Sequence, residues 1–290
     1  MRNTMNNGIM RYNLHTVRDL LEKHGIKSSK IMGQNFLIDA NIPEKIVKNS
    51  GINKTCGVLE IGPGLGALTQ VLCDTAGHVT SVELDKRLVP IIREIFAEKE
   101  NITIVQGDIL KININEIIES TMSKFEHHVC ANLPYNITTP ALTAFIDSKA
   151  FKSITVMIQK EVAMRICAKP GTSDYGAFTV YANYHTLPEI LFDVSPECFT
   201  PRPKVTSSVV KMKTRAESLL TGDDEKKFFK VVKAAFGQRR KTLVNALFTV
   251  FEKTNSKESI AKTVENCGFD TRIRGENLGI ADFIELSSKL

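Results

Sequence analysis

The 290-residue chain contains no apolar run approaching the roughly 18 residues that a membrane span requires. No membrane partner is therefore expected. Its N-terminus, Met1-Arg2-Asn3-Thr4-Met5-Asn6-Asn7-Gly8, lacks the apolar segment of a secretory signal, and the expected location is the cytoplasm. No Cys-x-x-Cys pair occurs among Cys56, Cys73, Cys130, Cys167, Cys198 and Cys267. Cysteines scattered in this way fit neither a zinc site nor a disulfide framework, so reduced, mostly buried thiols are expected. His127-His128 has no nearby cysteine or acidic ligand pattern and reads as loop residues, so no metal is expected. The HExxH, GxSxG and Walker A signatures are absent, which removes zinc-protease, serine-hydrolase and P-loop chemistry from the first readings. There is no internal repeat, no low-complexity segment and no obvious dimer seam, and a monomer is expected.

What remains is an ordinary composition with an uneven charge. Hydrophobic residues make up 42% and charged residues 24% of the chain, as in soluble globular proteins. The length suffices for one large α/β domain, or for a domain with a small appendage, with a core that needs no disulfides. The net charge is only +6. Between residues 201 and 241, however, twelve Lys or Arg stand against four Asp or Glu. Such a stretch suits a phosphate backbone, although a solvated helix face carries the same pattern.

A helix is expected over residues 17–24, N-capped by Thr16 with Asp19 three residues on, and closed by Gly25. A loop over 30–37 follows. The next helix spans 43–49, with Pro43 in its first turn, where a missing N–H costs little. Strands at 57–61, 79–83, 102–106, 128–131 and 154–159 then alternate with helices at 68–75, 88–98, 116–122 and 139–147. This alternation predicts a parallel sheet with helices on both faces. Ligands of such sheets bind at the carboxyl ends of the strands, near the switch point. Residues 175–183 fit helix or strand equally well. Strands at 187–192 and 207–212, joined by Phe199-Thr200-Pro201-Arg202-Pro203-Lys204, would close the sheet with an antiparallel edge. Composition shifts across 214–224. Helical patterns then run from 224 to about 251, over 256–266 and over 280–288, with Gly268 as a stop. The expected division is an N-terminal extension over 1–14, an α/β domain over 15–215 and a small helical domain over 216–290.

Each of the first four predicted strands carries candidate site residues at its carboxyl end. Gly62-Pro63-Gly64-Leu65-Gly66 stands between a strand and a helix, where glycines allow φ > 0 and close approach of a cofactor to the backbone. Glu83 ends the next strand, about twenty residues on, where a carboxylate can bind two ribose hydroxyls. Counted from Gly62, glycine is fifth and Ala67 sixth, which departs from the dinucleotide fingerprint and lowers NAD without excluding it. A structural turn beside a surface acid is the plain alternative. Asp108, in Gly107-Asp108-Ile109, can accept a hydrogen bond from an adenine amino group, or can simply cap a loop.

Asn132-Leu133-Pro134-Tyr135 ends the fourth strand and is the most informative of these segments. An exocyclic adenine amine is a poor nucleophile because its lone pair delocalises into the ring. Acceptors on its two N–H groups favour a geometry that aims the lone pair at an electrophile. The Asn132 side-chain oxygen and the Leu133 carbonyl can be those acceptors. Tyr135 can stack on the base, and Pro134 fixes the direction of the carbonyl. Phe199, in the stiff Pro-rich loop, can close the other face of a base pocket or tuck into the core. Phe236-Gly237-Gln238-Arg239-Arg240-Lys241-Thr242 is a compact basic cluster suited to phosphate contacts.

Gln34-Asn35-Phe36-Leu37, residues 60–69, Val82-Glu83-Leu84-Asp85, Gly107-Asp108-Ile109 and residues 132–138, 199–207 and 236–243 occur in the order found in rRNA adenine N6,N6-dimethyltransferases. The chain resembles that family over roughly residues 15–288. The glycine loop, Leu133 and the Gln238-Arg239-Arg240-Lys241 cluster look like the branch that acts on small-subunit rRNA. The large-subunit resistance branch tends to have Ile at the Leu133 position and lacks that cluster. The resemblance implies an α/β class I, Rossmann-like methyltransferase fold: a seven-stranded, mostly parallel sheet whose last strand is antiparallel, with a small C-terminal all-helical domain. It implies S-adenosyl-L-methionine as cofactor. Carried over by position, Asn35 and Leu37 border the methionine end, with Gly62 beneath it. Glu83 binds the ribose, Asp108 the adenine, and Asn132 lies between donor and acceptor. Asn132, Leu133, Pro134, Tyr135 and Phe199 form the implied catalytic set. Arg239, Arg240 and Lys241 are expected to bind RNA, with the helical tail docking the pre-ribosomal particle.

The implied function is dimethylation at N6 of two adjacent adenines near the 3′ end of 16S rRNA, in the small subunit or its precursor. The reaction is a direct displacement driven by proximity, orientation and polarisation. Three other readings compete. An NAD-dependent oxidoreductase gives no reason for Asn132 to Tyr135. A non-catalytic assembly factor would not need Asn132. A DNA adenine methyltransferase would be expected to show two prolines after the Asp or Asn.

Overall fold

The computed structural model describes residues 12–26 and 34–290, together with the backbone at 5–6 and 9–10. In chain order the elements are β1 (Met5–Asn6), β2 (Ile9–Met10), α1 (Leu14–Lys23), β3 (Phe36–Leu37), α2 (Asn41–Ser50), β4 (Cys56–Ile61), α3 (Ala67–Thr75) and β5 (His78–Glu83). Then come α4 (Val89–Ile95), β6 (Ile102–Gln106), α5 (Ile114–Met122), β7 (Glu126–Asn132), α6 (Thr138–Asp147), β8 (Ser153–Gln159) and α7 (Lys160–Ile166). The remainder is α8 (Ala177–His185), β9 (Thr186–Val194), β10 (Phe199–Thr200), β11 (Ser207–Thr214), α9 (Gly222–Gly237), α10 (Leu243–Phe251), α11 (Lys257–Asn266) and α12 (Ile280–Lys289). Residues 30–33 of the expected loop, and most of the N-terminal extension, lie outside the described residues.

β4 is buried at every position, and a strand covered on both faces belongs inside a parallel sheet flanked by helices. It is the third strand, flanked on both sides, of a seven-stranded sheet of order β6-β5-β4-β7-β8-β11-β9. β4 pairs parallel with both β5 and β7, β5 with β6, and β7 with β8. β11 enters antiparallel to β8. The order runs outward from β4 in both directions, so the switch point falls between β4 and β7. The carboxyl ends of these two strands are Ile61 and Asn132, which is where a crevice is expected. A second, two-stranded pair joins β3 to β10, with Leu37 opposite Phe199 and Phe36 opposite Thr200.

The first helix departs from expectation at its cap. Asn13, not Thr16, is the N-cap, and its side chain accepts from the Thr16 N–H at 3.0 Å. The ambiguous stretch at 175–183 is resolved as the helix α8. The continuous helix expected from 224 to 251 is two helices, α9 and α10, with a break between them. Gly237 is a weak helix residue, and the Thr242 hydroxyl accepts from the Asn245 N–H to start a new helix. His127 and His128 sit inside β7 and not in a loop.

The chain forms two compact units: Met1–Ala163 with Glu189–Thr214, and Met164–Pro188 with Arg215–Leu290. The second unit therefore claims 164–188, which the sequence pattern had grouped with the sheet. The reason is packing. Tyr184 of α8 meets Phe228 of α9 with ring centroids 4.7 Å apart, and Val180, Tyr184, Phe228, Val231 and Phe283 share one buried cluster. Each such side chain contributes roughly 1.5–3 kcal/mol by leaving water. Among the described residues, no helix is long and apolar enough to cross a membrane.

Candidate active site

β4 delivers the chain into a turn that three glycines make possible. Gly62 has φ +63° and Gly66 φ +93°, a region closed to most L-residues. The Gly62 N–H reaches the Val82 carbonyl at 2.9 Å, which extends the ladder with β5 by one step. A Cβ on Gly62 would stand 3.7 Å from the Pro134 ring, in the space between the glycine turn and the loop after β7. A Cβ on Gly66 would collide with the Phe96 ring at 2.5 Å. Gly62 keeps a space open, whereas Gly66 is required for packing.

The next strand ends in two acids of different character. Glu83 is only 5% exposed. One of its oxygens accepts from the Gly64 N–H at 3.3 Å and the other from the Asp85 N–H at 2.8 Å. Burial pushes its carboxyl above the ordinary range, against the pull of these backbone bonds. The Arg87 guanidinium bonds both oxygens of Asp85, at 2.9 and 2.6 Å, and holds that carboxyl at about 2. Gln34 Nε2 also donates to Asp85, at 3.0 Å. That bond, with the β3–β10 pairing, holds the Gln34–Leu37 segment in place. At the end of β6, Asp108 accepts from the Leu110 N–H at 3.1 Å, and the Lys111 ammonium lies 3.8 Å away.

The Asn132-Leu133-Pro134-Tyr135 segment is fixed at several points. Asn132 Nδ2 donates to the Asn35 carbonyl at 3.4 Å, which leaves Oδ1 as the acceptor of that amide. The Leu133 N–H bonds the Met157 carbonyl of β8 at 3.1 Å, while the Leu133 carbonyl receives no backbone hydrogen bond from the described residues. Pro134 holds φ −55° and ψ 131°. The Tyr135 hydroxyl meets Ser207 Oγ at 2.7 Å. Burial raises the Tyr135 phenol above its ordinary range, so it stays protonated.

These pieces enclose a cavity of about 340 Å³ whose walls include Asn35, Gly62, Glu83, Asp108, Asn132 and Tyr135. That volume falls within the range of small-molecule sites. Leu133 and Pro134 also line it. The sequence reading missed Leu84 and Leu110, which line the cavity and remain 55% and 42% exposed. Their only signal was their place one and two residues beyond the strand-end acids Glu83 and Asp108. A second chamber, of about 40 Å³, shares Asn35, Gly62, Gly64 and Asn132 with the first. Leu37 lines this smaller chamber and not the main cavity.

Two expectations need correction. Phe199 does not project into the cavity. It is 3% exposed, pairs with Leu37 and packs in the core of the sheet unit. Burying the ring against Leu37 outweighs any freedom the Pro-rich loop allows, and its part is to anchor the β3 segment. Arg239, in the other unit, is not free for phosphate. Its guanidinium donates to the carbonyls of Ser173 at 2.6 Å and Tyr175 at 2.9 Å, and lies 3.5 Å from Glu276. Arg240 and Lys241 are exposed and line an open groove with Asn245 and Phe248. Among the described residues, no cluster could hold a metal ion.

Comparison with known proteins agrees with this arrangement. A family model described as ribosomal RNA adenine dimethylase matches residues 25–279. A ribosomal RNA small subunit methyltransferase A of Shouchella clausii is 42% identical over 273 residues, spanning 93% of this chain and 92% of that protein. One from Clostridium botulinum is 43% identical over 271 residues, spanning 93% and 96%. Among solved structures, a dimethyladenosine transferase from Plasmodium falciparum superposes with a TM-score of 0.73 at 26% identity, covering 87% of this chain and 95% of that one. The 23S rRNA methyltransferase ErmE gives 0.70 at 25% identity, covering 88% and 99%. With strand-end residues, sheet order and near full-length similarity in agreement, the chain belongs to the ribosomal RNA adenine dimethylase family.

Proposed function

We propose that this chain uses S-adenosyl-L-methionine to dimethylate N6 of two adjacent adenines near the 3′ end of 16S rRNA, in the small ribosomal subunit or its precursor. The observation that carries this reading is the pair of acceptors at the end of β7. Asn132 is oriented through Asn35, and Leu133 is pinned through Met157, at the wall of the cavity. Identity supports the small subunit as target: it is 42–43% with relatives named for that subunit, against 25% with a 23S rRNA methyltransferase.

The residues fit the cofactor. Gly62, at φ +63°, brings bare backbone to the cavity wall, and the buried Glu83 carboxylate suits ribose hydroxyls. Asp108 suits the amino group of an adenine, with Leu84 and Leu110 as apolar walls. When bound, S-adenosyl-L-methionine supplies a methyl group already activated by its positive sulfur. Asn132 Oδ1 and the Leu133 carbonyl accept the two N–H groups of the target adenine and thereby orient its nitrogen lone pair. Tyr135, steadied through Ser207, offers a ring face for the base. As the N–C bond forms and the S–C bond breaks, sulfur would leave as a neutral thioether, and the alkylated nitrogen, now acidic, gives its proton to solvent, so neither acceptor need act as a base. After the first transfer one N–H remains, and either acceptor can hold it for the second. Arg240 and Lys241 supply phosphate contacts, whereas Arg239 ties the segment to the Ser173 and Tyr175 carbonyls.

Transfer of labelled methyl groups to undermethylated small subunits, with large subunits in parallel, tests the assignment. Label confined to small subunits is expected. Label in large subunits would move the chain to the resistance branch.

A further inference from the structure

The turn from α9 to α10 and one face of α10 form an open groove of about 620 Å³, wholly within the helical unit. Arg240 and Lys241 stand at one end of it and Glu252 at the other, with Asn245, Phe248 and Thr249 between them. Steps of three and four residues place Asn245, Phe248, Thr249 and Glu252 on one side of the helix. From Asn245 to Glu252 the backbone rises about 10 Å. The groove is thus polar along its length, cationic where α10 begins and anionic where it ends.

Most of its polar groups are unengaged. The Thr249 hydroxyl is used: it donates to the Asn245 carbonyl at 2.9 Å and accepts from Gln238 Nε2 at 3.2 Å, which ties the turn to the helix. Among the described residues, the side chains of Arg240, Lys241, Asn245 and Glu252 form no hydrogen bond or ion pair. Arg239, next in the chain, shows the contrast, since two carbonyls and Glu276 occupy it. Phe248 is half-buried: part of its ring packs on the helical core, and the rest lines the groove. Two free cations, a free amide, an aromatic ring and a free carboxylate therefore follow one another along a single channel.

We propose that this groove seats one unpaired guanine nucleotide of the RNA substrate. The proposal rests on the rRNA reading. The phosphate lies at Arg240 and Lys241, the sugar beside Asn245, and the base on the Phe248 ring. The Glu252 carboxylate, an acceptor only, takes the far edge of the base. Guanine presents two donors side by side on its Watson–Crick edge, the N1–H and the 2-amino group, which match two carboxylate oxygens. Adenine, cytosine and uracil each set an acceptor beside their donor there, which a carboxylate repels. The opposite orientation fails, because it brings phosphate to Glu252. The nucleotide must be unpaired, since in a duplex that edge is engaged and the ring faces are stacked.

Fluorescence anisotropy of the full chain with short labelled oligouridylates, plain or carrying one central guanine, tests this. The native protein should prefer the guanine oligomer about tenfold. Glu252→Gln should erase that preference, bringing the two oligomers within about twofold, without weakening the plain one. Phe248→Leu keeps an apolar side chain against the core and removes the ring. It should weaken the guanine oligomer about tenfold and leave S-adenosylhomocysteine binding within about twofold. A native protein with no preference for guanine, or a preference that survives Glu252→Gln, would overturn the proposal. Binding of the guanine oligomer unchanged by Phe248→Leu would overturn it as well. Methyl transfer to undermethylated small subunits, measured on the same native preparation, separates the two readings. Transfer without guanine preference sinks the groove assignment alone, whereas no transfer to rRNA sinks the reading beneath it.

Discussion

Replacing Glu60 by glutamine should make the ligand-free protein more stable at alkaline pH. Glutamine is the neutral isostere, and its amide oxygen can still accept from Ser81 and Thr69. The folded state lifts the Glu60 carboxyl from 4.5 to about 7. Between those values the folded protein binds more protons than the unfolded chain, so native stability falls as pH rises through this window. At roughly 1.4 kcal/mol per pH unit, the full displacement is worth about 3 kcal/mol above pH 7, and it vanishes below the unfolded value. The glutamine variant does not titrate and should escape the loss. Urea denaturation of both proteins, without ligand, at pH 5 and pH 8 reads the difference. The midpoints should nearly coincide at pH 5, with the variant clearly higher at pH 8 and an unchanged slope. A variant no more stable at pH 8 than at pH 5, relative to native, would refute the claim that burial lifts this carboxyl.

Other substitutions separate the remaining roles. Asn132→Ala should lower methyl-transfer turnover roughly a hundredfold to a thousandfold, as for loss of an oriented polar group. Its affinity for S-adenosylhomocysteine should change far less, and equal losses in both would remove Asn132 from the chemistry. Gly66→Ala meets both φ +93° and the Phe96 ring at 2.5 Å, and should cost about 3 kcal/mol. A melting temperature within about 2 °C of native would contradict this. Alanine at both Arg240 and Lys241 should reduce the salt slope of RNA binding by roughly two. Arg239→Ala should instead lower thermal stability by about 1–2 kcal/mol, with the slope unchanged.

The parallel sheet was legible because alternation of apolar strands and amphipathic helices follows directly from burial on both faces. The strand-end residues were legible because Gly62, Glu83, Asp108 and Asn132 each punctuate a strand, and the topology gathers such ends at one edge. What escaped depended on neighbours remote in the chain. Phe199 has no local signal for burial, since Leu37, its partner, lies far away in sequence. Arg239 looks like Arg240 until the carbonyls of Ser173 and Tyr175 are seen to occupy it. The helix break at 238–242 was hidden by an apolar period that continues across it, although Gly237 and Thr242 were the available clues. Residues 164–188 joined the helical unit through aromatic packing that no linker composition announces. Glu60 was read as part of a glycine motif. Its burial, with Ser81 and Thr69 as donors and no cationic partner among the described residues, is visible only in the fold.

The central claim is that one pocket presents the same adenine amine twice to an activated methyl group. The most direct measurement is mass identification of nucleosides from small-subunit RNA after reaction with the native chain and S-adenosyl-L-methionine. Over time, monomethyladenosine should appear and then give way to N6,N6-dimethyladenosine. Accumulation of monomethyladenosine alone, of methyl groups on another base, or of no methylated nucleoside would contradict the account.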